Sequence, residues 1–473
     1  MNDKKINLVF VFISSLYLNR QIYTIFLKMR IFASEIFTMS KINREVLKLA
    51  IPSILANITI PLVGLVDVAI IGHISDATAI GGIAIGTLLF DLLYWNFGFL
   101  RVGTSGLTAQ AYGAQDDRLA VGMFRQNLLL AFFSTLLVWA IQWLFLTVAL
   151  KCIPCTPEVA YFASQYFYIR IWAAPATLSL MVFKGWFIGM QNTIAPMVCD
   201  IVVNVVNMVA SYLLAFHTSL GMLGVAHGTV IAQYVGLLTA VAFLLILYGK
   251  IFKLYFFENK VFKNIKKVAK LAGNLFIRSV GFMIIYVGFT AIASKYGDEQ
   301  LAVSTIMMKL FMLFSYFVDG FAYAGEALTG RFIGAGDRPN LDRSVRILFY
   351  WTIGVGVAFT LFFAIAGDDS VRIVTSDAAV IKASHPFLPW LIAMPLVSCL
   401  AFMWDGIFIG ATAGAAVRNC MLFAALGFVL GYVILHKQIG IQALYVGYFV
   451  HLIVRAAYLT FRWKKTKSKA MHA

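Results

Sequence analysis

Long apolar stretches follow one another along most of this chain, and they constrain its fold more than any other feature. A helix needs about 20 apolar residues to cross a bilayer, and each stretch is long enough to cross once. Because 61% of the residues are hydrophobic and only 12% are charged, the composition is far from that of a soluble domain. We therefore predict an all-α polytopic membrane protein with twelve transmembrane helices. The predicted spans lie near residues 46–72, 79–111, 120–148, 159–183, 194–216, 222–248, 272–295, 301–332, 342–366, 378–409, 416–435 and 440–461.

The basic residues lie mainly in the connectors that follow even-numbered spans, above all in 250–270 and from Arg462 to the end of the chain. Lys and Arg are enriched in cytoplasmic loops, so this alternation predicts an inner-membrane protein with both termini in the cytoplasm. The same bias accounts for the net charge of +17 without a nucleic-acid partner. We expect a monomer whose partners are the lipid bilayer and a small-molecule substrate.

The chain also repeats its own motifs at an offset of about 220 residues. An even number of spans in each copy gives both copies the same orientation, which is typical of parallel transporter repeats. We predict two six-helix bundles related by a pseudo-two-fold axis, with substrate between them. The matching pairs are Gly113-Ala114-Gln115-Asp116 with Gly334-Ala335-Gly336-Asp337, Phe187-Ile188-Gly189 with Phe408-Ile409-Gly410, and Pro175 with Pro395.

The repeat divides the chain into an N-terminal bundle (41–249), a basic cytoplasmic linker (250–270) and a C-terminal bundle with a basic cytoplasmic tail (271–473). Residues 1–40 are a leader of doubtful status. Either translation begins at Met39, or the leader is a dispensable interfacial helix.

Asp67 is the strongest candidate for a functional residue, because placing an ionisable side chain inside a membrane span costs free energy and such residues usually serve function. Two prolines, Pro52 and Pro61, precede it in the first span, and a helix bends at such residues. Burial favours the neutral form of a carboxyl, so Asp67 is suited to bind a proton or Na⁺. The alternative is that Asp67 pairs with a base near the membrane surface.

A polar stripe occupies the fifth span, where Asp200, Asn204, Asn207 and Ser211 share one helical face. Oxygen-bearing groups on one face suit Na⁺ or a proton-bearing network, and Thr229 of the sixth span could join them. The alternative is that these side chains only hold helices together.

The second half offers Asp405, whose repeat partner is Lys184. Two interpretations stay open: these opposite charges pair across the halves, or both lie near helix ends in water. The eighth span is rich in Met and Phe, which suit a promiscuous apolar cavity but also serve in packing or face lipid. The candidate cavity residues are Met307, Met308, Phe311 and Met312.

Enzyme motifs are missing from the sequence: it has no zinc-binding His-Glu-x-x-His, no phosphate-binding P-loop and no Gly-x-Ser-x-Gly nucleophile elbow. We expect no catalytic residue, no bound metal beyond a possible Na⁺ near Asp67, and no cofactor other than a coupling ion. A membrane transferase and a channel are the alternatives from other functional classes.

Four stretches resemble the multidrug and toxic compound extrusion (MATE) family, and specifically its DNA-damage-inducible (DinF-type) branch. The resemblance covers residues 41–462. The four stretches are Pro61 to His73, Gly98 to Gln110, Gly185 to Asn192 and Gly224 to Gln233.

This resemblance implies two six-helix bundles around a V-shaped cavity and export of drugs in exchange for H⁺ or Na⁺. It assigns coupling to Asp67, Asn207 and Thr229, and Ser211 stands where the closest family members carry an aspartate. A second branch of the family uses an acid in the tenth span, which corresponds to Asp405. A flippase for lipids or lipid-linked oligosaccharides, from the same superfamily, is the alternative transporter.

Overall fold

A computed structural model describes residues 41–72, 77–153, 155–257 and 265–472, with the side chains of residues 60–77 and 79 excluded. The predicted leader therefore lies outside the described residues. Residues 46–473 form one compact unit, and residues 41–45 belong to a separate N-terminal unit in which they are helical.

Fifteen α-helices contain most of the described residues. Short 3₁₀ turns at Ile171–Ala173, Ser294–Tyr296 and His385–Phe387 adjoin five of them. The α-helices are α1 (Lys41–Gly72), α2 (Ala77–Trp95), α3 (Phe99–Gly113), α4 (Asp117–Cys152), α5 (Pro157–Arg170), α6 (Ala174–Gly189), α7 (Ile194–Phe216), α8 (Met222–Tyr255), α9 (Ile265–Ala293), α10 (Asp298–Gly334), α11 (Arg338–Val374), α12 (Ala378–Ser384), α13 (Leu388–Gly410), α14 (Gly414–Ile439) and α15 (Gln442–Ala470).

Eleven segments of the described chain are long and apolar enough to cross a membrane. Three of them join two helices each (α2 with α3, α5 with α6, and α12 with α13), and the other eight are single helices. Helix α1, with 32 residues, supplies a twelfth helix of sufficient length. The prediction of an all-α membrane protein with twelve long helical segments is confirmed.

Helix packing follows the predicted repeat. In the first half, α3 packs on α4 and α6, α4 and α8 pack on α6, and α7 pairs with α8. The second half repeats each pairing: α10 packs on α11 and α13, α11 and α15 pack on α13, and α14 pairs with α15. Equivalent sequence positions therefore make equivalent contacts. The two halves meet mainly where α3 packs against α10.

The repeated motif Gly-Ala-x-Asp is a helix-to-helix turn in both copies. Its third residue has positive φ, 56° at Gln115 and 68° at Gly336. Its aspartate then caps the next helix: Asp116 accepts from the Leu119 amide at 2.8 Å, and Asp337 accepts from the Asn340 amide at 3.1 Å. A side-chain acceptor at this position satisfies an amide that lacks an intrahelical partner.

Glycines at the start of this turn let α3 and α10 cross in backbone contact. A Cβ at Gly113 would lie 1.9 Å from the Arg331 carbonyl oxygen, and a Cβ at Gly334 would lie 1.9 Å from the Gln110 carbonyl oxygen. The two contacts are equivalent under the repeat, because each glycine meets the residue three positions before the other. The crossing is thus symmetric between the halves.

The linker predicted at 250–270 is shorter than expected, since α8 continues to Tyr255 and α9 begins at Ile265. Lysines at helix ends extend their charged groups into water while their alkyl stems stay on the helix surface. A run of lysines therefore does not by itself end a helix.

Candidate functional site

The first half contains a buried polar pair where α7 packs on α8. Asn207 Nδ2 donates to Thr229 Oγ1 at 2.9 Å, and Thr229 donates to the Val225 carbonyl at 3.0 Å. Both residues are buried, as is Ser211 one turn further along α7. A Cβ at Gly228 would lie 2.5 Å from Ser211 Oγ, so glycine there lets α8 approach α7 closely. The structure thus brings together three of the predicted coupling residues.

Two acceptor oxygens in this group have no hydrogen-bond partner within the described part of the chain. They are Asn207 Oδ1 and Ser211 Oγ, and both are shielded from solvent. Buried polar atoms are nearly always paired. Unpaired acceptors of this kind are suited to receive a cation or a proton-bearing group.

The other two members of the predicted stripe have partners of their own. Asp200 forms an ion pair with Lys184 of α6, and Asn204 Nδ2 donates to Thr59 Oγ1 of α1 at 2.6 Å. The interpretation that Lys184 pairs with Asp405 across the halves is therefore wrong. Lys184 lies five residues before α6 ends and Asp200 six residues after α7 begins, so the α6–α7 hairpin places them side by side.

Asp405 pairs instead with two arginines of its own half. Its Oδ2 accepts from Arg278 Nη2 at 2.7 Å and from Arg455 Nη2 at 2.6 Å. The Arg278 and Arg455 guanidinium carbons also lie 4.8 and 4.7 Å from the ring centre of Phe282, where cation–π attraction contributes. Because Arg455 is 1% exposed and Asp405 6% exposed, this arginine–aspartate cluster is buried in protein.

A further ion pair joins the halves. Arg101 of α3 donates to Glu326 Oε2 of α10 at 3.5 Å, and its guanidinium carbon lies 4.2 Å from the Tyr323 ring centre. Glu326 is 1% exposed. Charges from both halves thus meet beside the α3–α10 crossing.

Comparison with known proteins identifies the family. The MatE family model matches the chain twice, at residues 52–213 and 272–433, which together cover more than half of the chain. The chain belongs to the MatE family. The two matched segments have the same length and contain the repeated motifs, so the family model describes one copy of the repeat.

Curated relatives support this membership. DNA damage-inducible protein F of Escherichia coli (strain K12) is 32% identical over 422 residues, which cover 88% of this chain and 91% of the relative. The human Multidrug and toxin extrusion protein 1 is 23% identical over 445 residues, covering 91% and 77%. The resemblance to the DinF-type branch is confirmed.

A solved structure shows the same fold. A crystal structure of MATE in complex with MaL6 aligns with a TM-score of 0.81 at 16% identity, covering 92% of this chain and 98% of that one. The chain is therefore a multi-pass membrane transporter of the MatE family, with the twelve-helix, two-bundle arrangement predicted from its repeat. Family membership also decides against the membrane-transferase alternative.

Within this MatE-family fold, Asp67 lies in α1, which is helical without a break from Lys41 to Gly72 and includes Pro52 and Pro61. The side chains of Asp67 and Pro61 lie outside the described residues. The roles of Asp67 in coupling and of the two prolines in bending stay predictions.

The Met- and Phe-rich segment of α10 lies in the core of the second half. Met307, Met308 and Phe311 are buried in a hydrophobic cluster, and Met312 is half-buried. In this conformation these side chains are therefore packed core residues, as the packing interpretation expects. For them to line a substrate cavity, this cluster would have to open.

Arg278 was not among the residues singled out from the sequence, and Arg101 was not paired there with Glu326. The signal that could have found both is charge balance at membrane depth, because a charged side chain inside a span seeks an opposite charge. Asp405 and Arg455 lie mid-span in the same half, which marks them as candidates for each other.

Proposed function

We propose that this MatE-family chain exports small organic compounds by antiport with H⁺ or Na⁺ in the inner membrane, with both termini in the cytoplasm. The observation that carries the proposal is the pair of buried acceptors on α7, Asn207 Oδ1 and Ser211 Oγ, which lack partners within the described residues. Oxygen atoms on one buried face are the groups that a bare cation or a proton-bearing group requires.

Ser211 bears on where the negative charge of the coupling site comes from. The closest family members are expected to carry an aspartate there, and a hydroxyl supplies an acceptor without a charge. The negative charge of the coupling site would then come from Asp67, since Asp200 is engaged by Lys184. One carboxylate and neutral oxygens balance one monovalent cation.

Ion binding would drive transport through α1. This helix contains Pro52 and Pro61, whose missing amides weaken its hydrogen-bond ladder. Neutralising Asp67 would change the preferred shape of α1, and the two halves would rock about the α3–α10 crossing. Substrate would enter from the cytoplasm or inner leaflet and leave on the other side.

Replacing Asp67 with Asn should lower export by about tenfold or more, which is typical of losing a coupling interaction, because the amide has no exchangeable charge. The measurement is efflux of tetraphenylphosphonium, a lipophilic cation, from proteoliposomes under a combined pH and sodium gradient. The matched control is Asp117→Asn, which removes an exposed carboxylate at the start of α4 and should keep full activity.

Size-exclusion chromatography of both variants checks that they are folded. Full efflux by a folded Asp67→Asn protein would reject the coupling assignment. Transport of a labelled lipid-linked oligosaccharide, with no efflux of the cation, would favour the flippase alternative.

A further inference from the structure

A cavity of about 550 Å³ lies among the ends of α3, α9, α14 and α15, on the side predicted to be cytoplasmic. Its volume falls within the range of small-molecule sites. None of the functional residues discussed above lines it. Five of its lining side chains are cationic, namely Lys267, Lys270, Arg462, Lys465 and Lys469.

The positive charge of this cavity is not balanced locally. Among the described residues, no Asp or Glu lines the cavity, and none of its five cations forms a salt bridge. Lys467, also on α15 but outside the cavity lining, pairs with Asp342 at 2.7 Å. Cations in a concave surface focus the potential and attract anions.

The neutral polar groups of the lining favour an anion as well. Arg418 donates to Asn274 Oδ1 at 2.8 Å and to Asn419 Oδ1 at 2.7 and 2.9 Å. Both asparagines line the cavity, and these bonds engage their acceptor oxygens. The amide nitrogens, which are donors, are left as the groups able to bind a ligand.

The first residues of α14 differ from their repeat equivalents in a way that matches this charge. In the first half, Asn192 caps α7 by accepting from the Ala195 amide at 3.1 Å. The equivalent residue before α14 is Ala413, which has no side chain able to cap this helix. The Ala416 amide donates to the Ala413 carbonyl at 2.9 Å instead, so the open amides of this helix end are those of Gly414 and Ala415. Residues 411–416 line the cavity, so the uncapped, partially positive end of α14 adjoins the five cations. Amides at a helix N-terminus favour a negative group.

We propose that this cavity binds a phosphate group, carried by the headgroup of an anionic phospholipid or by a soluble phosphate compound. Lys side chains and helix N-terminal amides are established phosphate-binding groups. Basic pockets between transmembrane helices on the cytoplasmic side are suited to anionic headgroups, and this cavity lies at the ends of such helices.

Anion binding in this cavity would also affect the conformation of the transporter. This consequence rests on the proposed function. Gln110 of the first half lines the cavity and donates from Nε2 to the Gly410 carbonyl and to Thr412 Oγ1 of the second half, both at 3.1 Å. Leu107 and Gln110 of α3 form one wall of the cavity, so this wall is present only while the halves are together at this end. A bound anion would therefore favour that arrangement over one in which they separate.

The test uses the full-length protein purified in detergent and two probes, dioleoyl phosphatidylglycerol and inorganic pyrophosphate. Native mass spectrometry measures lipid binding, and the shift in thermal midpoint measures pyrophosphate binding. The variant Lys270→Gln/Lys465→Gln should bind the probe that occupies the cavity with an affinity lowered about tenfold or more, since each basic side chain contributes appreciably to anion attraction. Ala413→Asn, which copies the cap of the first half, should also weaken binding.

The matched control is Lys250→Gln/Lys253→Gln, which removes two exposed lysines of α8 on the same predicted side. If the cavity variant loses only the binding of phosphatidylglycerol, the ligand is a lipid headgroup. If it loses only the binding of pyrophosphate, the ligand is a soluble phosphate compound. If neither probe distinguishes the cavity variants from the control, the proposal is overturned. These binding measurements do not depend on transport, so they stand whether or not the antiport proposal does.

Discussion

Replacing Asp405 with Asn should lower the free energy of unfolding by about 3–5 kcal/mol, the cost of leaving a buried charge without its partner. The carboxylate accepts from Arg278 and Arg455, and the amide has no charge to offset either guanidinium. Arg455 is 1% exposed, so water cannot take over from Asp405. Titration with sodium dodecyl sulfate, followed by tryptophan fluorescence, measures the change.

The matched control is Asp368→Asn, which removes the carboxylate from an Arg372 pair whose side chains are 39% and 57% exposed. An exposed pair contributes about 0–1 kcal/mol, so this variant should unfold almost as the parent does. Equal effects of the two substitutions would show that the arginine–aspartate cluster does not stabilise the second half.

Replacing Gly113 or Gly334 with Ala should destabilise the protein by about 1–3 kcal/mol each, as expected for forcing extra atoms into a packed contact. The added Cβ would lie 1.9 Å from a backbone carbonyl oxygen of the opposite helix in either case. No rotamer change relieves a clash with backbone, so α3 and α10 must move apart. Because the crossing is symmetric, we expect the two variants to lose similar amounts of stability.

A glycine with open space around it provides the comparison. A Cβ at Gly354 in α11 would meet nothing within 4 Å, and Ala is the better helix former by about 1 kcal/mol. Gly354→Ala should therefore be neutral or stabilising in the same unfolding titration. Stability of Gly113→Ala or Gly334→Ala equal to that of Gly354→Ala would contradict the close crossing.

Much of the architecture was predictable because it depends on local sequence. Span length is read from uninterrupted apolar stretches, and the offset between Asp116 and Asp337 marks two equivalent turns, each with an N-cap. These features need only neighbouring residues, so the sequence displays them directly. The family resemblance rested on the same local motifs.

The partners of buried charges were harder to predict, because they depend on how each helix is rotated about its axis. Arg278 and Asp405 are 127 residues apart, and the repeat pointed to Lys184 as the partner of Asp405. Repeat equivalence relates positions that play the same role in each half, not positions that touch. Met307 and Phe311 show the same limit, since their composition fits both a cavity wall and a packed core.

The central claim, that an inward cation gradient drives export, is tested most directly by efflux of tetraphenylphosphonium from proteoliposomes with pH and sodium gradients imposed separately. We predict that one of the two gradients alone drives efflux and that collapsing it stops efflux. Efflux that is unchanged when both gradients are abolished would contradict antiport.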